Sequence, residues 1–240
     1  MSVETFRALH HGRAPGDPLV LPGPWDAASA RVFAEAGFDA LATPSHGVSA
    51  SLGYADGDTP ADEMFAAVAR IVRAVEVPVT ADIERGYGLA PKEIVERLLA
   101  TGAVGCNLED SADGALADPR EQADFLAAVH AAAGGRLFLN ARVDSYLRGA
   151  ADPLADALER GRRYAEAGAE CVYPFGAPLE DIGVLARELR VPVNAFSPTG
   201  GPAPRELGAA GATRVTFGGG LAARATEGVR EMARELRSSR

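Results

Sequence analysis

Cysteine is scarce in this chain: Cys106 and Cys171 are its only two among 240 residues. Each stands inside a run of apolar or small residues, which leaves neither a disulfide framework nor a CxxC metal motif. A reducing, cytoplasmic setting is the expectation. No apolar run approaches the roughly 18 residues a membrane helix needs, and Met1 to Pro15 carries charged and histidine residues without the apolar centre of a signal peptide. Neither export nor a membrane partner is expected. Positive charge is in deficit, with 24 Lys and Arg against 33 Asp and Glu and a net charge of −9. Nucleic acid is therefore an unexpected partner, because affinity for it comes mainly from cations neutralising phosphates. Histidines and cysteines nowhere cluster at zinc spacing. No long linker or low-complexity stretch divides the chain either, and residues 1–240 read as one domain.

What is present is ordinary for a globular enzyme: 47% hydrophobic and 24% charged residues. Short β-branched or apolar runs alternate with Ala-rich amphipathic stretches from end to end, the pattern of βα units on a parallel sheet. The runs are Leu19–Leu21, Ala40–Thr43, Val77–Asp82, Val104–Glu109, Leu137–Arg142, Cys171–Tyr173, Val191–Asn194 and Arg214–Phe217. Helical periodicity occupies 27–36, 61–74, 91–101, 119–133, 153–167, 178–189, 204–210 and 220–236. Ala36-Gly37-Phe38, Thr101-Gly102-Ala103, Ala167-Gly168-Ala169 and Ala210-Gly211-Ala212 each follow a helix and precede a strand, where glycine suits the residue after a helix. Val77-Pro78-Val79 and Val191-Pro192-Val193 repeat a strand-opening device. Eight strands and eight helices nearly exhaust the chain, and the fold class is α/β, a single (β/α)8 TIM barrel.

In such a barrel the strand C-termini and the loops after them build the active site. Strand three ends Asp82-Ile83-Glu84, whose two carboxylates, two residues apart, share a face. Strand four ends Glu109-Asp110, strand five Asn140-Ala141-Arg142-Val143-Asp144, and strand seven Asn194. Carboxylates converging on one rim repel one another unless a cation lies among them. With no His/Cys set, Mg2+ or Mn2+ held by one or two carboxylates, waters and substrate oxygens is the expected ion, Asp82 the first choice of direct ligand. Arg142 then offers a fixed fork to a small-molecule carboxylate, or stabilises developing negative charge. The small-residue loop Thr43 to Ser51 contains Ser45-His46-Gly47, a turn whose backbone N–H groups suit an anion. Trp25 and Tyr87 line a pocket or pack in the core, while Cys106 and Cys171 read as buried apolar residues. Asp110, Ser111 and Asp144 read equally as helix N-caps or solvated loop residues and as site residues.

Gly23-Pro24-Trp25-Asp26-Ala27-Ala28-Ser29-Ala30, Ser49-Ala50-Ser51-Leu52-Gly53, Asp82-Ile83-Glu84-Arg85-Gly86-Tyr87-Gly88, Gly105-Cys106-Asn107-Leu108-Glu109-Asp110 and Asn140-Ala141-Arg142 together resemble the isocitrate lyase/phosphoenolpyruvate mutase superfamily. The likeness covers nearly the whole chain. It implies a Mg2+-dependent barrel enzyme that makes or breaks a bond next to a 2-oxo acid through a pyruvate-like enolate. It further implies Asp82 as direct metal ligand and Glu84 and Glu109 as ligands through water, with Asp56 another acidic residue of that region. Arg142 matches the substrate-contacting arginine, the Ser45-His46-Gly47 turn the receiver of the substrate carboxylate, and Asn194 a polar pocket residue. Trp25 is counted with these substrate-binding candidates, and Arg142, Glu109 and Asp56 are the catalytic ones. A homo-oligomer, dimer or tetramer, is expected.

Departures narrow the activity. Isocitrate and methylisocitrate lyases carry a K-[KR]-C-G-H loop with a catalytic cysteine, whereas here Glu109-Asp110 leads into Ser111-Ala112-Asp113-Gly114-Ala115-Leu116. Phosphonate-processing relatives use a longer loop with lysine and asparagine, both missing between Asp110 and Asp118. The chain also stops soon after its eighth helix, which leaves helix exchange between subunits open. The leading expectation is a Mg2+-dependent lyase that cleaves a C–C bond in a small 2-oxo or 2-hydroxy acid, an oxaloacetate-decarboxylase-like variant included. The alternatives are a phosphonopyruvate hydrolase or phosphoenolpyruvate phosphonomutase and, from another class, a non-catalytic 2-oxo acid binding protein.

Overall fold

The computed structural model describes residues 2–112 and 114–239. The strands are β1 (Leu19–Val20), β2 (Leu41–Thr43), β3 (Val79–Asp82), β4 (Gly105–Glu109), β5 (Ser111–Ala112), β6 (Ala115–Leu116), β7 (Phe138–Val143), β8 (Cys171–Pro174), β9 (Asn194–Phe196) and β10 (Arg214–Thr216). Strands β2-β3-β4-β7-β8 form one parallel sheet and β1-β10-β9 another, while β5 and β6 make a small antiparallel hairpin. Two links join the sheets into a ring: Ala42 N–H donates to Pro22 O at 3.1 Å, and Val172 N–H to Pro192 O at 3.0 Å. The result is the expected (β/α)8 barrel.

Strand parity decides what enters the lumen. Val79 and Ala81, Cys106 and Leu108, and Leu139, Ala141 and Val143 face outward into the main core, where Met64, Val68, Ile94, Leu98, Leu126 and Leu185 of the helices cover them. The alternate residues, Thr80, Asp82, Asn107, Glu109, Asn140 and Arg142, are thereby aimed inward and upward.

The helices are α1 (Val3–Ala8), α2 (Ala27–Glu35), α3 (Ser45–Leu52), α4 (Ala61–Val72), α5 (Pro91–Thr101), α6 (Pro119–Ala133), α7 (Pro153–Glu166), α8 (Leu179–Leu189), α9 (Pro204–Ala210) and α10 (Gly220–Ser238). Their starts follow local chemistry. Asp118 accepts from Arg120 N–H at 2.8 Å and Asp152 from Ala155 N–H at 3.1 Å, each with proline at the first helical position. Gly168 closes α7 as expected, at φ 100°, and a Cβ there would lie 2.5 Å from the His130 ring. The two strand-opening prolines stand just outside β3 and β9 and contribute only carbonyls, Pro78 to Leu41 and Pro192 to Val172.

Three elements differ from the expected pattern. Ser45–Leu52 is helix α3, not a loop, although its Ser, Gly and His are weak helix formers. Burial of Val48 and Ser49 overrides that propensity, and Gly53 ends the helix at φ 90°. The β5–β6 hairpin is too short to show a strand period. Helix α1, capped by Ser2 on Thr5 N–H at 3.2 Å, inserts Val3 and Phe6 among the strand-start residues Leu19, Ala40, Val104 and Phe138. It covers the barrel end opposite the strand C-termini.

His10, just after α1, stacks on Phe138 at 4.3 Å and bonds Phe6 O through Nδ1 at 2.9 Å. Burial, helped by the charge of Arg214, pushes its pKa down to about 3. The unfolded chain protonates this imidazole near pH 6.5 while the fold keeps it neutral. Its contribution is therefore complete above pH 6.5 and declines toward about pH 3, by up to about 1.4 kcal/mol per pH unit. Urea midpoints of His10→Gln should fall less steeply than those of the parent between pH 6.5 and about 5, and parallel slopes would show that His10 is not what makes the fold acid-sensitive.

Candidate active site

The cleft at the strand C-termini has two lobes that share Ser45, Asp56, Arg142 and Leu147. An outer lobe of about 840 Å³ adds Glu84, Tyr87, Glu109, Ser111 and Arg148. An inner lobe of about 290 Å³ adds Asp82, Asn107, Tyr173, Phe175, Phe196 and Thr216.

Asp82 closes β3 and accepts from Ser45 Oγ at 3.3 Å and from Glu84 N–H at 3.2 Å. No ion pair holds its carboxylate, and burial pushes its pKa up despite Arg142. The chain then leaves the strand. Glu84 at φ 53° and Tyr87 at φ 57° both adopt the left-handed conformation, a strain of about 1–2 kcal/mol each. Gly86 between them sits at φ 86°, where a Cβ would lie 2.5 Å from Ile94 Cδ1. This double turn, rather than the strand pleat, brings Glu84 to the cleft, with Tyr87 Oη 3.5 Å from Glu84 Oε1. Burial, then Asp82 and Asp56, push Glu84 up to about 7. Burial likewise takes Glu109 up to about 8 against the pull of Arg142, with Asp82 adding repulsion.

Arg142 is the fixed cation of the site. Its Nη1 lies 2.9 Å from Glu109, its Nε and Nη2 engage Asp144 at 2.7 and 3.3 Å, and its Cζ stands 4.2 Å over the Phe175 ring. Asp144 is wholly buried, receives Ser111 Oγ–H, and donates its N–H to Asp110 at 2.8 Å. Asp110 in turn accepts from Tyr164 Oη at 2.8 Å and Arg160 at 3.1 Å. Asp110, Ser111 and Asp144 are thus no N-caps but a buried relay that aims the guanidinium.

The fold gathers Asp56, Asp82, Glu84, Glu109, Arg142, Ser45 and His46 on this cleft. It does not bring Gly47, Trp25 or Asn194 to it. Successive helical residues are turned by about 100°, so Gly47 faces away from Ser45, and a Cβ there would meet Pro44, Ala222 and Trp25. Trp25 sits with it in a separate groove between α3 and α10, edge-on to Phe33 at 6.4 Å. Asn194 is one layer too deep, its Oδ1 occupied by Thr216 Oγ1 at 3.1 Å. Thr216, not Asn194, reaches the lobe.

The match to known proteins is as extensive as the geometry suggests. The model of the family described as phosphoenolpyruvate phosphomutase fits residues 6–237. The chain belongs to the phosphoenolpyruvate phosphomutase family. It is an enzyme of the wider isocitrate lyase/phosphoenolpyruvate mutase superfamily, whose members are carbon–carbon lyases and mutases. An uncharacterised Mycobacterium tuberculosis protein is 36% identical over 216 residues, 89% of this chain and 81% of that one. A Burkholderia cenocepacia J2315 crystal structure, provisionally a phosphonomutase, superposes at TM-score 0.90 with 37% identity over 98% of both chains. Oxaloacetate acetylhydrolase with its product oxalate superposes at TM-score 0.88 with 25% identity, over 98% of this chain and 86% of that one.

The segment after Glu109 is the hairpin β5–β6; its Ser111 is tied to Asp144, and Arg148 donates to Ser111 Oγ at 3.2 Å. Asp113 lies outside the described residues. Asn107, Tyr173, Phe175, Phe196, Thr216 and Arg148 are lining residues that sequence reading missed. Only Asn107 carried a signal, since it shares the inward parity of Glu109 two residues on.

Proposed function

We propose that this family member is a Mg2+-dependent lyase that cleaves a C–C bond in a small 2-oxo or 2-hydroxy acid through a pyruvate-like enolate. Decarboxylation of an oxaloacetate-like acid is included, since it leaves the same enolate. The observation that carries the reading is Arg142, locked by Glu109 and Asp144, lining the same inner lobe as the carboxylate of Asp82, which no ion pair holds.

The donor set fits a hard divalent cation. All four acidic side chains on the cleft are oxygen donors; beyond burial, Asp82 and Asp56 raise Glu84, and Asp82, Asp144 and Glu84 raise Glu109. Among the described residues no three His, Cys, Asp or Glu side chains gather closely enough to hold a metal ion by themselves. An ion that keeps several waters and takes one direct carboxylate matches such an open set. Asp82 would hold it directly and Glu84, Glu109 and Asp56 through water; bound there, Mg2+ supplies Lewis-acid stabilisation of a developing oxyanion.

The chain's own residues supply orientation. The Arg142 fork takes the substrate carboxylate and, already oriented by Asp144, stabilises negative charge without rearrangement. Phe175 beneath it and Phe196, stacked on Phe175 at 4.6 Å, wall the lobe against water. Ser45 Oγ, which donates to Asp82, lines the same lobe.

Product release from oxaloacetate, methylated malates, other 2-oxo acids and phosphonopyruvate, with Mg2+ and with chelator, tests the proposal. Metal-dependent release of pyruvate or glyoxylate from a carbon acid is the expected result. Phosphate from phosphonopyruvate alone would replace the lyase by a phosphonate enzyme, and binding without turnover would replace it by a 2-oxo acid binder.

A further inference from the structure

Arg214 is the largest fully buried side chain of the molecule's described residues, and among them no carboxylate lies within ion-pair distance of it. It opens β10, the last strand of the ring, and crosses the lumen to β4, where Nη2 lies 3.3 Å from Asn107 Oδ1. Nε and Nη1 make no hydrogen bond. The same Oδ1 accepts from Asn140 Nδ2 at 2.7 Å. Two donors thus converge on one face of the Asn107 amide, and a guanidinium has no acceptor to offer. Rotating the amide by half a turn would set Asn107 Nδ2 against both. The amide is therefore fixed with Oδ1 down. Asn107 Nδ2 has no partner within the protein, and Asn107 is a wall residue of the inner lobe beside Asp82 and Arg142. What the lobe receives from β4 is an N–H donor.

We propose that Asn107 is a substrate-binding donor for an anionic oxygen in the inner lobe, and that Arg214 is the positioning residue that locks its amide in the donating orientation. The inference rests on the enolate-forming reading of the site. A sequence reader would assign Arg214 to a strand and Asn107 to a wall; the lock becomes visible only when the two meet across the barrel. Arg214 also brings positive charge beneath the lobe, of the sign an anion favours.

Calorimetric binding of oxalate with Mg2+ is the test, because oxalate is a planar dianion with the shape of an enolate of pyruvate. Asn107→Asp keeps both acceptor contacts, to Arg214 and Asn140, and removes the upward N–H. It should melt no lower than the parent, yet bind oxalate about tenfold to a hundredfold more weakly, as expected for a lost hydrogen bond to a charged group. Arg214→Met, with the lock released, should weaken oxalate binding as well, whereas in the Asn107→Ala background the same change should add little. Arg214→Lys, which retains a donor and the charge, should restore part of the loss. A purely structural Arg214 predicts lower melting temperatures and additive binding effects, and that result would overturn the lock. Unchanged oxalate affinity in Asn107→Asp would remove Asn107 from the substrate contacts. Failure of the parent protein to bind oxalate with Mg2+ would instead overturn the enolate reading, and this inference with it.

Discussion

Asp82→Asn should abolish Mg2+-dependent turnover while making the metal-free protein as stable as the parent or more so. The two effects have opposite signs because one carboxylate serves both. In the fold its pKa lies above the ordinary value, chiefly through burial. A raised carboxyl pKa means that the ionised form destabilises the folded state as pH rises through it, and the amide removes that penalty. Catalysis runs the other way. Loss of a direct ligand should exceed the 10–100-fold effect typical of outer-shell partners, so a drop in kcat/KM of more than about a hundredfold is expected. Thermal melting shows both at once: Mg2+ should raise the parent's Tm by mass action and leave that of Asp82→Asn unmoved. A variant still stabilised and activated by Mg2+ would displace Asp82 from the metal role.

Arg142→Lys should lower kcat/KM by about 10²–10³-fold, with both KM and kcat affected. Lysine keeps the charge but not the planar fork that reaches Glu109 and Asp144 together and lies over Phe175. Arg142→Ala is a different experiment. It leaves the wholly buried Asp144 without its cation, a loss of about 3–5 kcal/mol of stability. Comparing the two by denaturation and by kinetics separates orientation of substrate from support of the fold. A lysine variant with parental kcat/KM would show that the fork is not what the substrate meets.

The barrel was legible in the sequence because its signals are local and repeated. Gly37, Gly102, Gly168 and Gly211 all adopt the positive φ expected after a helix, and the helix starts at Pro91, Pro119, Pro153 and Pro204 fall at the expected positions. The acidic rim was legible for the same reason, since Asp82 and Glu109 end strands. What was not legible depends on contacts between distant segments. Helix α3 forms because Val48 and Ser49 find burial, which no local propensity reports. Glu84 reaches the cleft by a strained turn rather than by strand parity, so the expectation was right in place and wrong in cause. Trp25 and Asn194 fell the other way: Trp25 follows β1, but its ring packs outside the lumen, and Asn194, expected to end a strand, opens β9 instead, so its amide sits below the lobe. The relay Asp110–Asp144–Arg142 joins the ends of two neighbouring strands, β4 and β7, and its two aspartates look like helix caps until the strands are laid side by side.

The most direct test of enolate chemistry does not require the natural substrate. Pyruvate in D2O, followed by proton NMR with enzyme and Mg2+, reports whether the site removes and returns the methyl protons. Metal-dependent loss of the methyl signal, absent with chelator and in Asp82→Asn and Arg142→Lys, is the expected result. Pyruvate that binds the Mg2+-loaded enzyme yet keeps its methyl protons would contradict an enolate-forming site.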